Sequence, residues 1–91
     1  MPSKHVNLRI SGKVQGVFFR KSAKQEADNL SLGGWIRNKN DGTVEISASG
    51  EEKNIEQFIK WCKKGPPFAK VDDLQILVKK PEDYEEFSIV D

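Results

Sequence analysis

The chain has 91 residues, with 15 Lys and Arg against 14 Asp and Glu, a formal net charge of +1. That balance excludes strong general attraction to duplex nucleic acid or to an anionic membrane, so any anion site has to be local. The length implies a single domain over residues 1–91, which buries only somewhat more than about 60% of its unfolded surface, needs economical layers and leaves little room for a large ligand cavity.

Met1-Pro2-Ser3-Lys4-His5 leads into an alternating segment without the apolar run of a signal peptide, and no later stretch is apolar for long enough to span a bilayer. A cytoplasmic, membrane-free monomer is expected. Cys62 is the only cysteine and His5 the only histidine, so neither an internal disulfide nor a metal-ligand cluster is expected.

Val6, Leu8 and Ile10 alternate with Asn7, Arg9 and Ser11, which predicts a strand with one buried face, ending at Gly12. From Phe19, apolar residues recur at Ala23, Ala27 and Leu30 among charged and polar neighbours, predicting a helix that Gly33-Gly34 terminates. Trp35-Ile36-Arg37 and the alternating Val44, Ile46 and Ala48 flank Asn40-Asp41-Gly42, a turn sequence, so this pair is predicted to form a hairpin with Asn38 near its bend.

Ile55, Phe58, Ile59 and Cys62 follow the spacing of a helix face, with Glu51-Glu52 in the first turn, Lys63-Lys64 in the last and Gly65-Pro66-Pro67 as the stop. Leu74, Ile76 and Val78 predict a fourth strand, and Phe87-Ser88-Ile89 a short fifth or an extension of the sheet edge. The order βαββαβ is the ferredoxin-like α+β sandwich, an antiparallel sheet with two helices on one face. Many functions use that fold, so function has to be argued from a site.

The chemistry concentrates in Gly12-Lys13-Val14-Gln15-Gly16-Val17-Phe18-Phe19-Arg20, a strand-to-helix junction where unpaired backbone N–H groups and a helix N-terminus can converge on an anion. Gly16 lets the backbone come close to a ligand, Val17 and Phe19 can anchor the loop in the core, and Arg20 adds forked, permanently charged donors that match phosphate oxygens. The plainer reading of the glycines is an ordinary turn, and of Asn38 a hairpin side chain bonded to its own backbone. Cys62 reads as a small core hydrophobe; Trp35, Phe58 and Phe87 also read as core; His5, Glu51-Glu52, Lys63-Lys64 and Lys79-Lys80 read as solvated charges.

Two stretches together resemble the acylphosphatase family: Gly12 to Arg20, and Gly34-Trp35-Ile36-Arg37-Asn38 continuing through Asp41-Gly42-Thr43-Val44 to Gly50. The resemblance extends to Gly65-Pro66-Pro67 after the second helix. It implies hydrolysis of the carboxyl–phosphate bond of small-molecule acyl phosphates on a ferredoxin-like fold. By the same resemblance the backbone N–H groups of Gln15, Gly16, Val17, Phe18, Phe19 and Arg20, with the Arg20 side chain, would hold the phosphate, and Asn38 would position the attacking water; these two side chains would be catalytic, with no metal and no cofactor. The chemistry agrees, because a carboxylate of ordinary pKa about 4 leaves without a proton from a general acid. Asparagine is too weak a base to ionise water but can accept from it through its amide oxygen.

The sequence departs from the family pattern at Ile36, where smaller aliphatic residues are more familiar, and at Val90-Asp91, where many members end in a basic residue and an aromatic. The alternative class is a non-catalytic phosphate- or RNA-binding module of the same fold, whose nucleic-acid version needs a basic sheet face and strand aromatics that this sequence lacks. A regulatory acylphosphatase-like domain of a larger carbamoyl-transfer protein is set aside on the expectation that the chain ends where such a domain would.

Overall fold

A computed structural model describes residues 2–90. Strand β1 (Ser3–Lys13) leads to helix α1 (Phe19–Asn29), the hairpin β2 (Gly33–Asn38) and β3 (Val44–Glu51), helix α2 (Glu52–Lys64), strand β4 (Lys70–Lys79) and a short β5 (Phe87–Ile89). The sheet order is β4-β1-β3-β2-β5. The expected ferredoxin-like sandwich is present, with β4, β1, β3 and β2 antiparallel. β5 refines it: this strand runs parallel to β2, Gly34 facing Phe87, and makes the sheet mixed at that edge.

Alternation explains the layers. Val6, Leu8 and Ile10 of β1 pair with Ala48, Ile46 and Val44 of β3, and all six are buried. They meet Phe19, Ala23 and Ala27 of α1 and Ile55, Phe58, Ile59 and Cys62 of α2, the apolar stripes expected of both helices. Phe58 packs edge-on against Phe87, centroids 5.9 Å apart, and Phe19 against Trp61 at 5.5 Å.

Three expectations change. Helix α1 stops before the glycines: Ser31 takes a left-handed φ of 56°, Ser31 N donates to Asp28 O (3.1 Å) and Leu32 N to Ala27 O (2.9 Å), the paired bonds of a Schellman ending. Gly34 serves the sheet instead, for at its φ of 139° a Cβ would run into the Ser47 carbonyl. Trp35 lies on the open face rather than in the core, half-buried, with the Arg37 guanidinium 5.4 Å from its ring centroid.

His5 is the third. It is only 6% exposed, where a solvated side chain was expected. The reason is topological: β4 and β5 lie at opposite edges, so residues 80–86 must cross the open face. His5 Nδ1 bonds the Lys80 carbonyl (2.8 Å) and Nε2 the Ser47 hydroxyl (2.7 Å), while Ser49 Oγ donates to Glu82 O (2.6 Å). The His5 ring also meets Tyr84 edge-on, 5.7 Å between centroids. A strap tied by polar side chains thus covers one end of a face that helices leave bare.

Candidate active site

Residues 14–18 leave β1 and enter α1 by alternating burial. Val14, Val17 and Phe19 are buried, whereas Gly16 and Phe18 face outward. The apolar anchors are those expected. The turn between them is made by two left-handed residues, Gly16 at φ 74° and Phe18 at φ 64°. Glycine adopts that conformation freely; phenylalanine does so only where its surroundings hold it.

Phe18 is also the N-cap of α1, with no side-chain cap bond and no acidic residue in the first turn. The first helical bond runs from Ser22 N to Phe18 O (3.0 Å), so the amides of Phe19, Arg20 and Lys21 lie ahead of it. Among the described residues, no loop or cap hydrogen bond uses the backbone N–H of Gln15, Gly16, Val17 or Phe18. A helix N-terminus with no acidic residue in its own first turn and a curl of amides make a concavity that suits an anion.

Val14, Gly16, Phe18, Phe19, Arg20, Lys21, Asn38 and Ile89 line a cleft of about 290 Å³ there. Arg20 is half-buried on the first turn of α1. Of the sequence-predicted residues, the cleft thus gathers Gly16, Phe18, Phe19, Arg20 and Asn38; Val17 is buried and Gln15 turns toward the hairpin. Lys21 and Ile89 were missed. Lys21 resembles any solvated helix lysine, and Ile89 reaches the cleft only because β5 pairs alongside β2, which no local pattern encodes.

Asn38 is the last residue of β2. It does not bond its own turn. Asp41 does so instead, its Oδ1 accepting from Thr43 N (3.0 Å) and Thr43 Oγ1 (2.6 Å), which holds the Asp41 carboxyl below its ordinary pKa, the Thr43 hydroxyl contributing most. Asn38 Oδ1 is buried and, among the described residues, accepts no hydrogen bond. A buried acceptor without a partner is costly, on the order of 1–3 kcal/mol, and calls for a donor.

Gln15 locks this end of the hairpin to the cradle through Nε2, which donates to the carbonyls of Lys39 (2.8 Å) and Thr43 (2.9 Å). Val90 N donates to Ile36 O (2.9 Å), extending the β5 side; Asp91 lies outside the described residues. Among the described residues, no three His, Cys, Asp or Glu side chains gather to hold a metal ion.

Fold and site together define a ferredoxin-like α+β sandwich whose first strand-to-helix turn shares a cleft with a hairpin asparagine. Residues 6–89 match the acylphosphatase family model, and the chain belongs to that family. It is 47% identical over 81 residues to the acylphosphatase of Bacillus licheniformis, covering 88% of this chain and 90% of the relative. It is 44% identical over 84 residues to that of Thermococcus kodakarensis, 92% of each. Among solved structures it resembles an acylphosphatase from Coxiella burnetii (TM-score 0.93, 39% identity, 97% of this chain and 93% of that one). The acylphosphatase from Bacillus subtilis superposes comparably (TM-score 0.92, 40% identity, 96% and 98%). The reaction is hydrolysis of the carboxyl–phosphate bond, and the substrates are small acyl phosphates.

Proposed function

We propose that the amides of Gln15 to Arg20 and the Arg20 guanidinium hold the phosphoryl oxygens, and that Asn38 orients the water that attacks phosphorus. The observation that carries this reading is the buried, unpartnered Asn38 Oδ1 in the same cleft as the uncapped α1 N-terminus and Arg20. Oδ1 accepts a hydrogen bond from one O–H of the water and leaves the water oxygen's lone pair free for the phosphorus.

The cradle stabilises the negative charge on the equatorial oxygens of a loose transition state, with attacking and leaving oxygens in line. The P–O bond to the acyl group breaks and the electron pair leaves as carboxylate. The water's proton passes to the phosphate product or to solvent. Neither a general acid nor a covalent phosphoenzyme is needed, and the charge stabilisation lies within the cradle, so the reaction proceeds without metal or cofactor. The protein acts in the cytoplasm and does not bind nucleic acid.

Benzoyl phosphate hydrolysis followed spectrophotometrically, with chelator present, tests the reading beside folded Arg20→Ala and Asn38→Ala proteins. Turnover is expected to persist in chelator. Arg20→Ala should lose on the order of a hundredfold or more in kcat/KM, about 3 kcal/mol, and weaken competitive inhibition by inorganic phosphate. Asn38→Ala should lose kcat while phosphate inhibition stays. Full activity in both variants rejects these roles and leaves the cradle as a binding loop alone.

A further inference from the structure

Strand β4 forms one edge of the sheet, so among the described residues one side of its backbone has no neighbouring strand. Edge strands usually carry central charges, prolines or bulges that deter pairing. Here the central run Leu74-Gln75-Ile76-Leu77-Val78 has none of these, and the only register shift against β1 lies at its beginning, at Ser11/Gly12. Ile76 is 46% exposed, Leu77 56% and Val78 64%. Ile76 and Val78 pair with Leu8 and Val6 on the helix-covered face, but α2 leaves them in solvent.

We propose that β4 is the interface for a second copy of this chain, the two β4 strands pairing antiparallel about a two-fold axis at Ile76. The strand's own charge pattern selects this occupant and register. Asp72-Asp73 precede the apolar run and Lys79-Lys80 follow it. A two-fold axis keeps helix face with helix face, so only pairings of like parity continue the sheet; a slip of one residue would turn the aliphatic side chains to the wrong face.

Centred at Ile76, the pairing sets Asp73 opposite Lys79 of the second copy, twice by symmetry. Leu74 then faces Val78 and Ile76 faces its own counterpart. Six aliphatic side chains form one stripe on the helix-side face, in the span that α2 leaves uncovered. Centring at Gln75 or Leu77 sets Asp73 against Leu77 or Pro81 and loses this match. The paired strands join two five-stranded sheets into one of ten. No β4 residue lines the catalytic cleft, so the cleft stays open in the dimer and the monomer expected from the sequence becomes the alternative.

Sedimentation velocity on the full chain from about 1 μM to about 1 mM tests this, with benzoyl phosphate hydrolysis as the control for folding. A reversible dimer in the micromolar range is expected. Asp73→Lys and Lys79→Asp each place like charges opposite one another twice and should weaken the dimer by about tenfold or more, while the double reversal restores opposite charges and should restore association. Ile76→Lys should give an active monomer. A wild type that stays monomeric at about 1 mM overturns the proposal, as does a dimer indifferent to the single reversals or not rescued by the double.

Discussion

Gln15 and Thr43, 28 positions apart, are joined by a single side-chain bond: Gln15 Nε2 donates to the Thr43 carbonyl at 2.9 Å. The same nitrogen reaches the Lys39 carbonyl at 2.8 Å, and Lys39 N bonds Thr43 O at 2.9 Å. One side chain of the cradle therefore fixes the residues on which Asn38 rests. In a positional mechanism that link has a kinetic consequence. A small displacement of the orienting group lowers turnover even when the phosphate stays bound.

Gln15→Ala should therefore reduce kcat by about tenfold and stability by about 1 kcal/mol, since the Lys39 and Thr43 carbonyls each lose one of two donors and keep a backbone N–H. The inhibition constant of inorganic phosphate should move little, because the backbone amides remain. Gln15→Glu should be worse, setting a carboxylate against two carbonyl oxygens. Steady-state kinetics with phosphate inhibition, beside urea titrations, separate the two effects; an equal change in kcat and phosphate affinity would mean that the cradle itself collapses.

Cys62 is buried on α2 among core side chains. Burial first, and the Glu26 charge second, push its thiol far above the ordinary range. It should react with a thiol reagent at neutral pH on the order of a thousandfold more slowly than an exposed cysteine, accelerating with urea in parallel with unfolding. Alkylation while activity and circular dichroism are intact would contradict that burial.

Both assignments show which features local sequence carries. Cys62 falls on an apolar stripe, Val6-Leu8-Ile10 alternate, and Gly16 marks a left-handed turn between the buried Val14 and Val17, because each depends on periodicity or on one residue's conformational range. The strap over His5 depends instead on β4 and β5 lying at opposite sheet edges, a global fact. So does Ile89 in the cleft. Ser31 hid the helix end because a serine at positive φ has no strong local signature, and the glycines that follow serve other contacts, Gly34 the approach of β3 at Ser47 and Gly33 that of Tyr84. The Gln15 bond spans 24 and 28 residues to its acceptors, beyond any pattern read along the chain.

Glu45 on the open face receives Arg37 Nη2 (2.7 Å) and Nε (2.9 Å) and Asn7 Nδ2 (3.2 Å). Burial alone would raise its carboxyl, but the Arg37 and Asn7 hydrogen bonds, with the charges of Arg37 and Lys39, outweigh it and hold the pKa below the ordinary 4.5. A depressed folded pKa means that the unfolded chain binds more protons there. The contribution is fully present above about pH 4.5 and is lost as pH falls through the folded value. The stability advantage of wild type over Glu45→Gln should thus shrink below about pH 4.5, as urea titrations at stepped pH can check. An advantage that grows on acidification would reverse the sign and reject the assignment.

Phe18 and Phe19 are neighbours with opposite fates. Phe19 is buried against Trp61, whereas Phe18 is 70% exposed at a left-handed φ on the rim of the cleft. Removing Phe19 should open a core cavity, and Phe19→Ala is expected to cost about 3–5 kcal/mol. Phe18→Gly gives up little burial and relieves an unfavourable φ, at the expense of extra freedom in the unfolded chain. Those terms nearly cancel, so stability should stay within about 1 kcal/mol. The ring then matters for the substrate: if the phosphate binds as proposed, the ring on the cleft rim is placed to touch the acyl group. Phe18→Gly should raise KM for benzoyl phosphate a few-fold and leave that for acetyl phosphate nearly unchanged, because only the aryl group offers a surface for the ring. Equal effects on both substrates would mean that Phe18 acts through the loop's shape, and a loss of several kcal/mol would mean that its left-handed turn is held by packing the exposed ring does not reveal.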